Sequence, residues 1–322
     1  MAEPLRRRAR GAVLRTLTSA TGGVGDVVVR AGLRGTVELL RWTRVARLAR
    51  ANLELALGGE LAPQQRAEVL RGMRAHTARI VHEWLFLARA GNSEREARRV
   101  GEWIDAHVVF DESAARLDEI IERGQGVLVA TAHIGNWELL AARLRRRGLD
   151  GAVVGLRKRN DSSADWLVRM RSGYGVRTLA QDDSPRESLR ILREGGTLGV
   201  LCDLEVKRLA GEFVPFFGVD ALTITAPAAL ARAARLPLLP MRCVWRAGRY
   251  VISIDEPLAL DATLERRAAA RDLLTRLNTV FESWIRETPE QWCWHQPRWS
   301  ARPTASAAHL VPLAARRKRA RS

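Results

Sequence analysis

The segment Ala130-Thr131-Ala132-His133-Ile134-Gly135-Asn136-Trp137-Glu138 sets an imidazole five positions before a carboxylate. Two such groups can do acid–base work on a hydroxyl. A carboxylate that accepts the N–H of one ring nitrogen fixes the tautomer, and the other nitrogen is then free to take a proton. Taken alone the pairing is a weak signal, because a His that merely caps a strand-to-helix turn has the same spacing. The surroundings strengthen it. Val127-Leu128-Val129-Ala130-Thr131 is a short apolar run behind Gly124 and Gly126, which reads as a buried strand, and a helix follows His133 almost at once. An imidazole at the C-terminal end of such a strand stands where active sites of open α/β sheets collect, and a Glu in the first turn of the next helix can turn back toward it.

Similar strand-like runs occur at Ala152–Leu156, Thr197–Cys202, Leu238–Trp245 and Tyr250–Asp255. Helical periodicity fills most of the gaps, near Asn136–Arg147, Ser162–Tyr174, Ser184–Glu194, Thr223–Arg235 and Leu264–Glu287. This alternation predicts an α/β fold with a mixed, largely parallel sheet covered by helices on both faces. The last two strands lie close together around Ala247-Gly248, which suggests a hairpin. Before residue 111 the chain reads as helical. Pro63 to Ala90 carries Val69, Met73, Ile80, Trp84 and Leu87 at helical spacing. Residues 1 to 50 hold 11 Arg against Glu3, Asp26 and Glu38, interleaved with Val, Leu and Trp42. Basic amphipathic helices of that kind either lie in a membrane interface or pack on the body with a solvated charged face. The expected organisation is a membrane-associating amphipathic helical segment over 1–110, an α/β core over 111–303 and a basic, disordered tail over 304–322 that ends in Arg316-Arg317-Lys318-Arg319-Ala320-Arg321.

The chain has 322 residues, 47% of them hydrophobic, with 53 Lys+Arg against 36 Asp+Glu and a formal charge of +17. That surplus favours anionic partners such as phospholipid headgroups, acidic carrier proteins or nucleic acid. Only Lys158, Lys207 and Lys318 are lysines, so the excess is arginine. Cys202, Cys243 and Cys293 are odd in number and set in apolar sequence, which indicates neither a disulfide framework nor a zinc site and fits a reducing compartment. No run approaches a membrane span, and no secretory signal is evident. His82 sits within a helical pattern, and His76, His107 and His309 have no partner spacing, so none reads as a metal ligand. Neither Gly-x-Ser-x-Gly nor His-Glu-x-x-His occurs, which argues against serine and metal hydrolases.

The His133 segment resembles the His-x4-Asp/Glu motif of glycerolipid acyltransferases, and more closely that of the bacterial lipid A biosynthesis late acyltransferases of the lauroyl/myristoyl type. Further blocks stand in order. Ala51-Asn52-Leu53-Glu54-Leu55-Ala56-Leu57 is similar to the family's N-terminal Asn-Leu-x-x-Ala segment, and Trp166-Leu167-Val168-Arg169-Met170-Arg171-Ser172 to its Arg-bearing block. Cys202-Asp203-Leu204-Glu205 and Phe213-Val214-Pro215-Phe216-Phe217-Gly218 resemble the acidic and Val-Pro-Phe-Phe-Gly blocks. Pro289-Glu290-Gln291-Trp292-Cys293-Trp294 and Arg298-Trp299 resemble its closing signature. Departures exist. The family commonly has Asp-x-Asp at 203–205, and many members place the His of His295-Gln296-Pro297-Arg298 one position later. The acyltransferases of phosphatidylinositol mannosides share the Gln-Pro but favour Asp where this chain has Glu138.

The resemblance implies that His133 is the general base on an acceptor hydroxyl, oriented by Glu138, and that the hydroxyl attacks an acyl thioester directly, with no cofactor and no metal. The donor would be acyl carrier protein or acyl-CoA. The acceptor would be an anionic membrane glycolipid, a lipid A precursor or a phosphatidylinositol mannoside-type lipid, at the cytoplasmic face of the inner membrane, where the protein is peripheral. Arg169 or Arg171 would pair with phosphate, against the alternative of a solvated helix face. Asp203 and Glu205 would hold an arginine or bind acceptor hydroxyls, or else cap a turn. Phe213, Phe216 and Phe217 are candidates for lining an acyl-chain cleft, although aromatics in such runs, like Trp292, Trp294 and Trp299, are more often core. A basic nucleic-acid-binding protein is the alternative from another class. Its charge would suit, but the basic residues are spread along the chain and no recognised motif accompanies them. A lipid-binding relative without catalysis would not need both His133 and Glu138.

Overall fold

The computed structural model describes residues 13–14, 16–21, 24–39, 41, 43–155, 162–180 and 185–301. Trp42, Leu156 and the basic tail lie outside the described residues. Among the described residues, nine strands are arranged in two sheets. The main sheet runs in the order β1 (Val108–Phe110), β9 (Arg249–Ile254), β8 (Leu238–Arg246), β2 (Val127–Thr131), β5 (Thr197–Leu201), β3 (Gly151–Gly155), β4 (Arg177–Ala180). All its pairings are parallel except the β8–β9 hairpin, which is antiparallel. A separate antiparallel hairpin joins β6 (Gly211–Phe216) to β7 (Val219–Ile224). The expected mixed, mostly parallel sheet is therefore present, and the hairpin around Ala247-Gly248 with it.

The helices are α1 (Val24–Leu39), α2 (Arg44–Leu57), α3 (Pro63–Leu87), α4 (Glu94–His107), α5 (Ala114–Glu122), α6 (Trp137–Arg146), α7 (Ser162–Gly173), α8 (Pro185–Arg193), α9 (Ala226–Ala234) and α10 (Arg266–Glu287). They bury two cores, one on each face of the sheet. One gathers Leu139, Leu140 and Leu144 of α6 with Val100, Ile104, Leu117, Trp166 and Met170. The other gathers α2, α8, α9, α10 and the β6–β7 hairpin. β2 is buried at every position, and its residues alternate between the two cores, as the period of a strand requires. Leu53 and Leu57 of α2 and Val69 and Met73 of α3 belong to the second core, so these helices are packed on the body.

One topological feature positions the site. β2 and β5 are parallel neighbours, with Thr131 opposite Leu201. From β2 the chain passes to the face carrying α6, and from β5 it returns through α9 on the opposite face. Adjacent strands whose continuations leave to opposite faces open a crevice between their C-terminal ends, the usual ligand position in such sheets. Because the pairing ends at Thr131 and Leu201, the residues two further on, His133 and Asp203, stand across that crevice.

The C-terminal segment clasps it. Gly135 N–H donates to Gln291 O at 3.0 Å, and Cys293 N–H to His133 O at 3.2 Å. From α2, buried Asn52 donates through Nδ2 to the carbonyls of Trp294 and Gln296, at 2.8 and 2.9 Å. This gives Asn52 a structural task. Replacing it by Ala leaves both carbonyls short of a donor, and Asn52→Ala is expected to cost about 1–3 kcal/mol. Urea unfolding monitored by tryptophan fluorescence measures that loss.

Candidate active site

His133 sits in a tight strand-to-helix loop that only glycine permits at its third position. Gly135 has φ +59°, and a Cβ there would come within 1.9 Å of the Cys243 carbonyl oxygen. The loop crosses the end of β8 at that contact, and Asn136 N–H donates to the same carbonyl at 2.8 Å. Asn136 then caps α6, its Oδ1 accepting from Leu139 N–H at 3.2 Å.

The imidazole is oriented by Asp203, not by Glu138. His133 Nδ1 lies 2.8 Å from Asp203 Oδ1, and His133 backbone N–H donates to Asp203 Oδ2 at 2.9 Å. The indole Nε1–H of Trp292 donates to the same Oδ2 at 2.8 Å. The Asp203 side chain is fully buried, while that of His133 keeps 25% exposure. Burial pushes the Asp203 carboxyl up, but the neighbouring imidazole and the N–H donors outweigh it and hold the group below its usual range. An ionised Asp203 assigns the proton on the ring to Nδ1 and leaves Nε2 as the acceptor. Trp137 stands edge-on to the ring, with centroids 4.9 Å apart. His295 lies close enough to repel a charge on His133; burial, and then that repulsion, push its own imidazole down toward the neutral form.

The expected bond from His133 to Glu138 is absent because Glu138 is fully engaged elsewhere. Arg171 forks onto it, Nη2 to Oε1 at 2.6 Å and Nε to Oε2 at 2.9 Å, and Tyr174 O–H donates to Oε2 at 2.7 Å. Burial raises the Glu138 carboxyl, but the guanidinium and the phenol overcome it, so the group is ionised below its usual range. Arg171 is correspondingly committed to this pair and is not a free phosphate ligand, in contrast to the expectation from sequence. Arg169, from the same helix, is exposed. Glu205 takes the capping alternative. Its carboxylate accepts from the backbone N–H groups of Ser300 and Ala301 and from the Ser300 hydroxyl, each at 2.8 Å, and so fastens the C-terminal segment.

A narrow apolar slot with a cavity volume of about 50 Å³, partly open to solvent, runs between α6 and strands β2, β3 and β5. Thr131, Trp137, Glu138 and Arg171 border it at the His133 end; Leu144, Leu149 and Val176 line it further away. From Leu201 to Thr197 it follows β5 for roughly 13 Å. Sequence reasoning missed it, since its walls are ordinary strand and helix positions. The proposed cleft aromatics lie elsewhere. Phe216 stacks on Trp299 at 5.5 Å and meets Trp292 at 6.0 Å, and Phe217 touches the same cluster, so these two support the site from behind, while Phe213 lies half-buried on the β6–β7 hairpin.

Among the described residues, one trio of metal-capable side chains gathers, His133, Asp203 and Cys293, with ligating atoms within 4.8 Å of one another. Its donors are already satisfied. Both Asp203 oxygens accept N–H donors, one of them from the His133 ring itself. The arrangement reads as a hydrogen-bonded dyad, not a metal centre.

Residues 27–301 match the family model for bacterial lipid A biosynthesis acyltransferases. The chain belongs to that family. A phosphatidylinositol mannoside acyltransferase of Mycobacterium tuberculosis is 28% identical over 189 residues, 58% of each chain. The lipid A biosynthesis palmitoleoyltransferase of Escherichia coli is 25% identical over 279 residues, 82% of this chain and 81% of that one. The lipid A biosynthesis lauroyltransferase of the same organism is 26% identical over 214 residues, 64% and 65%. The chain thus spans 58% of the length of the mycobacterial relative it matches.

The Glu138–Arg171 pair makes a stability prediction. Both folded carboxyls, Glu138 and Asp203, are held below their unfolded values, so their contribution is complete above about pH 4.5 and is lost as pH falls through the folded values. Glu138→Gln strands a buried guanidinium and is expected to cost about 3–5 kcal/mol at pH 7, and to flatten the acid-side fall of the melting temperature. Calorimetry between pH 7 and pH 3 reads both effects.

Proposed function

We propose that this protein is an acyltransferase that moves a fatty acyl chain from an acyl thioester, carried by acyl carrier protein or CoA, to a hydroxyl of a membrane glycolipid, with a lipid A precursor as the favoured acceptor. The observation that carries the reading is the His133–Asp203 dyad, whose partly exposed imidazole stands edge-on to Trp137, a residue that borders a narrow apolar slot. Nε2 takes the proton of the acceptor hydroxyl as its oxygen attacks the thioester carbonyl carbon. Asp203 stabilises the imidazolium that forms. When the C–S bond breaks, the departing thiolate receives that proton, giving an ester and a free thiol. The lining of the slot is apolar, as a hydrocarbon chain requires, and Arg169, exposed on α7, is the arginine we assign to a phosphate. Glu138 acts at one remove, by locking α6 to α7 through Arg171 and so shaping the wall of the slot.

A phosphatidylinositol mannoside-type acceptor is the second reading, supported by the 28% identity to the mycobacterial enzyme. The dyad serves either acceptor.

Work at a membrane surface is supported by the N-terminal helices. No helix among the described residues is long and apolar enough to cross a membrane. Of the seven large hydrophobic residues that are exposed among the described residues, five lie between residues 13 and 45: Val13, Val27, Val28, Leu39 and Val45. α1 buries Val29 against the body and turns Val27, Val28 and Leu39 outward among arginines. An apolar stripe flanked by cations suits an anionic lipid interface, here assigned to the cytoplasmic face of the inner membrane.

Transfer from radiolabelled acyl carrier protein and CoA thioesters to a panel of lipid A precursor and phosphatidylinositol mannoside acceptors tests the reaction. His133→Ala is expected to lose about 100- to 10,000-fold in kcat, and Asp203→Asn to fall with it; a folded His133→Ala enzyme with wild-type turnover would remove His133 from the chemistry. For the surface, Val27→Asp with Val28→Asp is expected to weaken sedimentation with anionic vesicles at least tenfold at unchanged fold, by lost apolar insertion; unaltered binding would place the anchor elsewhere.

A further inference from the structure

Behind the catalytic loop lies a carboxylate to which the reaction assigns no task. Glu83, on α3, is 7% exposed, and among the described residues no arginine or lysine bonds to it. Two donors meet on a single oxygen. Asn136 Nδ2 reaches Oε2 at 2.8 Å, and Tyr250 O–H reaches it at 2.6 Å. Asn136 is the residue that turns the His133 loop into α6, and its own Oδ1 also accepts the Trp84 indole N–H at 3.3 Å. Two helical turns earlier on α3, His76 Nε2 lies 3.2 Å from the Gly135 carbonyl. Two polar side chains of α3 therefore grip successive residues, 135 and 136, of the loop that begins with the base.

We propose that Glu83 is a positioning residue for His133, acting through Asn136 to hold the loop that presents the imidazole to the acceptor. The inference rests on His133 being the base, but its mechanical part concerns the loop alone. The groups that face Glu83 are Arg79 on its own helix, Arg30 on α1, Tyr250 on β9, Cys243 on β8 and Asn136 on the loop. Burial, opposed by the two hydrogen bonds and then the two arginines, pushes its carboxyl up to about 7. An amide at this position could accept the same two bonds through its one carbonyl oxygen, without the cost of a buried charge. What the carboxylate adds is strength, since hydrogen bonds to an ionised acceptor are roughly twice as strong as neutral ones. The grip on Asn136 tightens as Glu83 ionises.

Three variants separate this role from plain packing. In Glu83→Ala the loop loses both bonds. Hydrogen–deuterium exchange of the peptide around 133–141, measured without substrate, is expected to quicken at least tenfold there and not in β5 or α10, and kcat to fall at least tenfold with KM within twofold. Glu83→Gln is expected to keep slow exchange and to match wild-type kcat at pH 6, yet to lack the rise in kcat that Glu83 ionisation gives between pH 6 and pH 8. Its melting temperature at pH 7.5 should exceed wild type, because a carboxyl raised on folding costs stability as pH climbs past its unfolded value. Should Glu83→Ala fail to fold, Tyr250→Phe, which removes one of the two donors, is expected to give the exchange and kcat changes in smaller measure. Unchanged loop exchange in Glu83→Ala or Tyr250→Phe, or a Glu83→Gln pH profile superimposable on wild type, would overturn the proposal. If no variant, wild type included, transfers acyl groups, it is the acyltransferase reading that fails, while quickened exchange still upholds the grip on the loop.

Discussion

A carboxylate removed from water is tolerable only when its oxygens are met by donors, and Asp203 satisfies that condition with three N–H groups drawn from two distant parts of the chain. The backbone and ring of His133 supply two, and Trp292 the third. Each donor must arrive in register, so much of the architecture follows from this one group. The parallel pairing of β2 with β5 brings residues 133 and 203 level. The segment around Trp292 must cross the crevice, and it is held there by Asn52 from α2 and by Gln291, whose side chain bonds the backbone N–H and carbonyl of Trp245 at 2.8 and 2.9 Å. Segments separated by more than two hundred residues therefore close the site together, and a defect in the clasp is felt at the imidazole.

The site contains a second buried carboxylate with the opposite circumstances. Glu138 meets a full guanidinium fork and a phenol, which neutralise its charge locally, whereas Asp203 meets neutral donors and the ring whose charge it can balance. The difference divides their work. A carboxylate already paired with arginine gains little from a forming imidazolium, while one held only by N–H dipoles gains much. Glu138 is thus suited to fixing α6 against α7, and Asp203 to sharing the proton chemistry of His133.

Much of the fold was legible because buried strands and amphipathic helices leave distinct periods. The central strands and the helices between them begin and end close to where apolar runs, glycines and helical spacing place them. β1 and β4 escaped because they are edge strands of three and four residues, too short to establish a period. The β6–β7 hairpin was hidden by Pro215 and by its aromatic run, which reads as a cleft lining although it packs behind Trp292. In the site, His133 was legible from its strand end, and its partner was not. Glu138 is near in sequence, but the second position of α6 directs it toward α7. Asp203 is 70 residues away, and proximity along the chain carries no information about it. A signal did exist: both residues follow an apolar strand by the same interval, and pairing those two strands in parallel sets them opposite each other.

The excess of arginine illustrates a similar limit. Composition alone cannot distinguish lipid phosphate from nucleic acid phosphate, and several arginines turn out to have internal duties. Arg171 is bound to Glu138, and Arg298 is fully buried, donating to the Leu222 carbonyl and to Thr223 and Asn278. What discriminates is the position of exposed apolar residues. A nucleic acid surface has no use for Val27, Val28 and Leu39 held out in water beside cations, whereas a lipid interface rewards both features at once. The same α1 bears Asp26, which meets His82 of α3 at 2.6 Å, and α3 in turn grips the His133 loop through His76 and Glu83. α1, with its exposed apolar residues, is therefore two contacts from the loop that carries His133, which gives that surface a short mechanical path to the imidazole.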